Sequence, residues 1–247
     1  MLRETRVLLG QFNREGRSVR ILKTPVLVVN FKAYLEATGK KSVQLAKIAE
    51  TVSREKGVQI VVAPQFSDIE QVSESVEIPV FSQHIDAVKP GAYTGHVLAE
   101  AVKSAGAAGT LLNHSERRIK ISEIEDAIAT ARESELLTLV CANTPGVAAA
   151  TASFSPDMIA VEPPELIGTG VAVSKARPEV ITTSVKRIRS VNSAVLILCG
   201  AGVTSAEDVA KAIELGSQGV LVSSSVVKSK DPGRLLESMA ESSLAVR

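Results

Sequence analysis

Eight short apolar runs rich in β-branched residues recur from Pro25 onward, separated by segments of helical character, and this alternation constrains the fold more than any other feature of the chain. The runs fall at about residues 26 to 30, 58 to 62, 79 to 83, 109 to 113, 137 to 142, 158 to 161, 195 to 199 and 218 to 223. Strands buried on both faces of a parallel sheet read as continuous apolar runs in this way, whereas half-exposed strands alternate. The first connection places Leu45, Ile48, Ala49 and Val52 at i, i+3, i+4 and i+7, with Lys41, Lys47, Glu50 and Arg54 left for water, the pattern of an amphipathic helix. Ser67, Ser122 and Ser205 each stand three residues before an acid (Glu70, Glu125 and Asp208) and predict helix starts capped by a hydroxyl. Thr144-Pro145 predicts a shorter helix of about two turns after the fifth run. Eight β–α units in about 220 residues, with no G-x-G-x-x-G turn after the first strand, predict an α/β fold: a single (β/α)8 barrel over residues 24–247 rather than a doubly wound open sheet.

Residues 1–23 differ from this pattern. They carry Arg3, Arg6, Arg14, Arg17, Arg20 and Lys23 against Glu4 and Glu15, and are read as a basic, flexible N-terminal extension; the two glutamates weigh against a transit peptide. The whole chain of 247 residues has a formal charge of only +1, so nothing global favours nucleic acid or an anionic membrane as a partner, and an anion site must be built locally. No uncharged apolar stretch approaches the roughly 20 residues of a membrane span. Cys141 and Cys199 sit inside apolar segments and are expected as buried reduced thiols; with only two cysteines and three histidines there is no zinc-ligand spacing. A reducing, cytoplasmic compartment follows as the expectation.

A barrel gathers the C-terminal ends of all its strands into one rim, so residues remote in sequence become neighbours if each follows a strand. Glu162 ends the run Met158–Val161 and is followed by Pro163-Pro164 and then Gly168-Thr169-Gly170, the form of a lid that pivots at both ends with a carboxylate at its base. The first strand ends in Asn30-Phe31-Lys32, an amide and an ammonium at alternating positions. The fourth leads into Asn113-His114-Ser115-Glu116-Arg117, with His114 the candidate acid or electrophile. Gln83-His84, after the third, is expected to support rather than react. Cys199-Gly200-Ala201-Gly202-Val203 and Ser223-Ser224-Ser225 follow the seventh and eighth strands, where small residues let backbone amides approach an oxyanion.

These motifs, in this order, resemble triosephosphate isomerase of the shorter archaeal type over roughly residues 24 to 245. Val29-Asn30-Phe31-Lys32 is similar to the family's N-x-K segment, Asn113 to Arg117 to its histidine motif, and Ala160 to Gly170 to its base-plus-lid segment. Tyr93-Thr94-Gly95-His96 stands where other branches have Thr-Gly-Glu. The resemblance implies a TIM barrel that interconverts dihydroxyacetone phosphate and D-glyceraldehyde 3-phosphate through an enediolate, in glycolysis and gluconeogenesis, without metal or cofactor. It implies Glu162 as base, His114 and Lys32 as stabilisers of the developing oxyanion, and Asn30 as the residue that helps to orient the substrate and Lys32, with Asn30 and Lys32 both binding substrate. It also implies a phosphate held by backbone amides of Gly168, Gly202, Ser223 and Ser224, with Ile167 near the closed lid. Gly202 replaces a serine, and Ser223-Ser224 a Gly-Gly, of bacterial and eukaryotic members; Glu165 stands where many relatives carry an aromatic. Association through the loop after the third strand, about residues 86 to 93, implies a homo-oligomer, tetramer favoured and dimer possible.

Two other readings compete. One is another phosphosugar-binding barrel enzyme with the same phosphate site, either an isomerase of amino-acid biosynthesis or an aldolase; an aldolase would need a buried Schiff-base lysine, and the only strong candidate is Lys32. A non-catalytic binding barrel would be expected to have lost Glu162, His114 or Lys32, and none is lost.

Overall fold

A computed structural model describes residues 22–163 and 172–246, together with the backbone of Gln11–Phe12 and Ser18–Val19, which pair as a short antiparallel ribbon. Eight strands form the barrel: β1 (Val26–Asn30), β2 (Gln59–Ala63), β3 (Phe81–Ser82), β4 (Gly109–Leu112), β5 (Leu137–Ala142), β6 (Met158–Val161), β7 (Leu196–Cys199) and β8 (Gly219–Val222). All neighbours are parallel and run in the order β2-β1-β8-β7-β6-β5-β4-β3, and a Val62–Val80 bridge joins the two ends of the sheet. The eight-unit barrel expected from the spacing of the apolar runs is therefore present.

Each strand serves two cores. Val26, Val28, Val61, Leu111, Leu139 and Met158 belong to an inner cluster that fills the barrel. Their sequence neighbours Leu27, Val29, Ile60, Val62, Leu112 and Ile159 belong to an outer cluster shared with the helices. A two-residue side-chain period produces this division, and it explains why the runs are apolar almost throughout, with Ser82, Thr110 and Thr138 as buried polar exceptions. Leu22, just ahead of the expected barrel boundary, packs against the inner cluster beside Leu137 and Leu196.

Between the strands run α1 (Lys40–Lys56), α2 (Ile69–Ser73), α3 (Ala99–Ser104), α4 (Ile121–Glu133), α5 (Pro145–Ala152), α6 (Val173–Ala176), α7 (Pro178–Val191), α8 (Ala206–Glu214), α9 (Ser224–Val227) and α10 (Pro232–Ala245). Helix α1 buries Leu45, Ala49 and Val52, as its stripe predicts, while Ile48 is half-buried. Thr144 caps α5, accepting the Val147 amide at 3.2 Å, and Ser205 caps α8, accepting the Asp208 amide at 3.3 Å.

The other two expected caps are not caps. Ser67 lies within a 3-10 turn (Phe66–Asp68) that runs straight into α2. Asp68 is buried there because its carboxylate binds the Gly39 amide at 2.8 Å and Gln71 Nε2 at 2.6 Å. Ser122 lies inside α4, which starts at Ile121 because Glu123 reaches back to the Lys120 amide at 2.9 Å. β3 is also shorter than expected. Gln83 turns away from the ladder to donate to the carbonyls of Lys32 and Ala63, each at 3.0 Å.

Candidate active site

The rim is built from strand ends. Asn30, the last residue of β1, is buried, and its Oδ1 accepts the Lys32 amide at 2.9 Å. That bond helps to hold Lys32 at φ 50, a left-handed conformation costing a β-carbon-bearing residue roughly 1–3 kcal/mol. The turn directs the lysine so that its Nζ lies 2.8 Å from Glu116 Oε1. Gln83, bonded to the Lys32 carbonyl, braces the same turn from β3.

After β4, Asn113 adopts φ 57 and ties its loop at both ends: Oδ1 accepts the Ile119 amide at 3.1 Å and Nδ2 donates to the Cys141 carbonyl at 2.9 Å. His114 is thereby held in a fixed turn with its side chain buried. Its Nδ1 accepts the Glu116 amide at 3.2 Å. A ring nitrogen that accepts a backbone N–H carries no proton itself, so the neutral ring has its proton on Nε2. Nε2 lies 3.7 Å from Glu162 Oε2.

Glu162 is set by the strands on both sides of it. Its amide donates to the Ala142 carbonyl at 2.8 Å, and the Gly200 amide donates to the Val161 carbonyl at 3.0 Å. The residue is 5 % exposed, and Oε2 accepts no hydrogen bond among the described residues. Gly200 makes the room for it. A Cβ at that position would stand 2.5 Å from Glu162 Cγ and 2.8 Å from Oε1. Cys141 and Cys199 flank the carboxylate as buried free thiols. Burial first and the Glu162 charge second push Cys199 up to about 12 and Cys141 well above the ordinary thiol range, so both stay protonated near neutrality.

Asn30, Lys32, His114 and Glu162 line one cavity of about 330 Å³ whose far wall includes Gly202, Ser223 and Ser224. Ala201 and Gly202 take φ 69 and 71, so two successive left-handed residues shape the β7 turn. Asp208 anchors that turn: Oδ2 accepts the Thr204 amide at 2.9 Å, the Thr204 hydroxyl at 3.1 Å and the Ser205 amide at 3.1 Å. Ser225 Oγ donates to the Val203 carbonyl at 3.1 Å, locking the β7 and β8 turns together. The structure thus brings seven of the expected site residues to one cavity. Ile167 and Gly168, with the lid between Pro164 and Gly170, lie outside the described residues.

Two contributors escaped the reading of the sequence. Tyr34 lines the cavity, and Glu116 pairs with Lys32. The available signal for Tyr34 was its place two residues beyond Lys32 in a chain with only two tyrosines. The network expected around Gln83-His84 is present: His84 Nε2 lies 3.1 Å from Asp86 Oδ1, and the other Asp86 oxygen accepts the Val97 amide at 2.6 Å. Among the described residues, no group of three His, Cys, Asp or Glu side chains is placed to hold a metal ion.

A family model described as triosephosphate isomerase matches residues 25–241. The chain belongs to the triosephosphate isomerase family. It is 50% identical over 215 residues to a triosephosphate isomerase of Methanothermus fervidus, covering 87% of this chain and 97% of that protein. It is 48% identical over 216 residues to one of Methanosarcina acetivorans, with the same coverage. These relatives place it with the archaeal triosephosphate isomerases, as His96, the short fifth helix and Pro164-Glu165 led us to expect. Among solved structures, a triosephosphate isomerase from Bartonella henselae superposes with a TM-score of 0.72 at 17% identity, covering 89% of this chain and 99% of the other, which establishes the shared barrel.

Proposed function

We propose that the chain interconverts dihydroxyacetone phosphate and D-glyceraldehyde 3-phosphate by proton transfer, as a glycolytic and gluconeogenic isomerase. The observation that carries this reading is the facing of Glu162 Oε2 and His114 Nε2 at 3.7 Å across a cavity that also holds Lys32, in a chain of this family. Removing a proton next to a carbonyl needs a base on carbon and positive charge at oxygen. Glu162 is the base, and its Oε2 is not consumed by a hydrogen bond among the described residues. The Nε2–H of neutral His114 and the Lys32 ammonium stabilise the enediolate oxygens, in the division of labour known for this family. Asn30 keeps the Lys32 turn in place.

The phosphate end lies at the β7 and β8 turns, where the amides of Gly202, Ser223 and Ser224 are the proposed donors. Gly168 and Ile167, which lie outside the described residues, are the further proposed contributors from the lid segment. The donor set reads as sufficient without metal or organic cofactor. The cytoplasm is the proposed compartment, and among the described residues no helix is long and apolar enough to cross a membrane. Residues 1–23 are read as an appendage to the barrel domain, in keeping with a family match that begins at residue 25. A homo-oligomer is the proposed assembly, with the tetramer placed before the dimer on the archaeal resemblance alone; Leu35 (79% exposed), Phe66 (39%) and Tyr93 (49%), on the loops after β1, β2 and β3, support self-association without distinguishing the two.

The deciding experiment is a coupled assay of the purified protein beside Glu162→Gln. Isomerase activity in the parent, lowered about 10²–10⁴-fold in the variant, is the expected result. An inactive parent or an unimpaired variant overturns the assignment.

A further inference from the structure

The described charges of the cavity wall are a poor match for a dianion. Glu162 contributes a carboxylate, and Lys32, the cation on the wall, already lies 2.8 Å from Glu116 Oε1, so that pair is neutral as a unit. A second ammonium stands just outside. Lys228 Nζ lies 4.1 Å from the centroid of the Tyr34 ring, and Tyr34 lines the cavity. The contact joins the turn after β1 to the end of α9, the short helix that starts at Ser224.

Tyr34 is braced from its other side. Its carbonyl accepts Thr38 Oγ1 at 2.9 Å, and that hydroxyl accepts Gln65 Nε2 at 2.7 Å, so the β2 loop holds the residue whose ring meets Lys228. An exposed lysine on four rotatable bonds spreads its charge over a wide volume, and seating on an aromatic face confines it. Here the ring belongs to a residue that lines the cavity.

We propose that Lys228, seated on Tyr34, is a further specificity-determining residue: its ammonium draws the substrate's phosphate dianion to the β8 side of the rim, and Tyr34 is its positioning residue. The inference rests on the triose phosphate reading of the same cavity. Because Lys228 is solvent-exposed, its field acts mainly on the approaching ligand, which makes the effect one of capture and therefore sensitive to salt.

The test is kcat/KM for glyceraldehyde 3-phosphate as a function of ionic strength, from about 10 mM to about 0.5 M. Lys228→Gln is expected to lose about three- to tenfold at low salt, through KM, with the gap closing as salt rises. Lys228→Arg should recover most of the loss. Tyr34→Leu should reproduce the salt-dependent loss, Tyr34→Phe should restore it by keeping the ring, and the Lys228→Gln/Tyr34→Leu pair should lose less than the two losses multiplied. Lys211→Gln, which removes the same charge from the outer face of α8, should leave the salt response unchanged. Binding of inorganic phosphate, followed by calorimetry, should weaken in Lys228→Gln in parallel. A Lys228→Gln enzyme that matches the parent at low salt, or loses the same factor in kcat at every salt, overturns the proposal while leaving the isomerase reading intact. An inactive parent instead removes the isomerase reading on which the proposal stands.

Discussion

His114 Nε2 and Glu162 Oε2 lie 3.7 Å apart although they follow different strands, β4 and β6. The separation is longer than an N–H···O hydrogen bond, so the two groups face one space without consuming each other's proton and lone pair. A substrate carbon and its neighbouring oxygen fit that arrangement, one group to each.

His114→Leu removes the Nε2–H and leaves no side-chain donor in its place. A fall in kcat of about 10²–10³, with KM changed much less, is expected from the loss of one oxyanion donor. Steady-state kinetics at matched thermal midpoints would separate this from unfolding.

Gly200→Ala tests the space behind the base. The added carbon would approach Glu162 Cγ to 2.5 Å, so the carboxylate must leave its position or the β7 strand end must shift. Misplacing a base by about 1 Å is expected to lower kcat on the order of 10²-fold. A variant that turns over like the parent would show that Glu162 does not need its present seat.

Asp208→Ala removes the acceptor of two amides and a hydroxyl in the β7 turn. The orphaned donors should cost about 1–3 kcal/mol, read from the urea midpoint. KM should rise with it, since the same turn carries Gly202; a stability loss with KM unchanged would detach the turn from phosphate binding.

Stability should depend on pH through His84 and Asp86. Burial holds His84 below the ordinary 6.5 against the opposing pull of Asp86, so the unfolded chain binds the proton more readily than the folded one. This contribution is complete above pH 6.5 and shrinks as pH falls below it. Asp86 behaves separately: burial pushes its carboxyl up, but the Val97 amide, His84 and Arg117 together hold it below 3.8, so its contribution is present above that value and fades as pH falls through the lower, folded one. His84→Asn should flatten the dependence just below pH 6.5 in urea titrations; an unchanged slope would point to other groups.

The parts of this architecture that the sequence declares are those set by local chemistry. The two-faced burial of β1, β5 and β6 needs runs that are apolar almost throughout, and their observed bounds coincide with those runs. Ser205 caps α8 because its hydroxyl and Asp208 satisfy each other within one turn. Ser67 and Ser122 carry the same local pattern and fail as caps, since Asp68 is recruited by Gly39 from the β1 loop and Glu123 starts α4 earlier. The candidate site divides in the same manner. Asn30, Lys32, His114 and Glu162 are recognisable because each follows a strand, whereas the pairing of Glu116 with Lys32 spans 84 residues and the seating of Lys228 on Tyr34 spans the chain's two ends. Such contacts exist only once the barrel closes, and no local pattern announces them.

Because residues on each strand alternate between the inner plug and the helical shell, a single inserted residue within β1 would exchange the two sets and present Leu27 and Val29 to the wrong partners. The turns above the rim face no such rule. Length and composition can drift there while the two cores below stay in register, so a barrel of this kind can acquire a new specificity by lengthening a loop without re-inventing its fold.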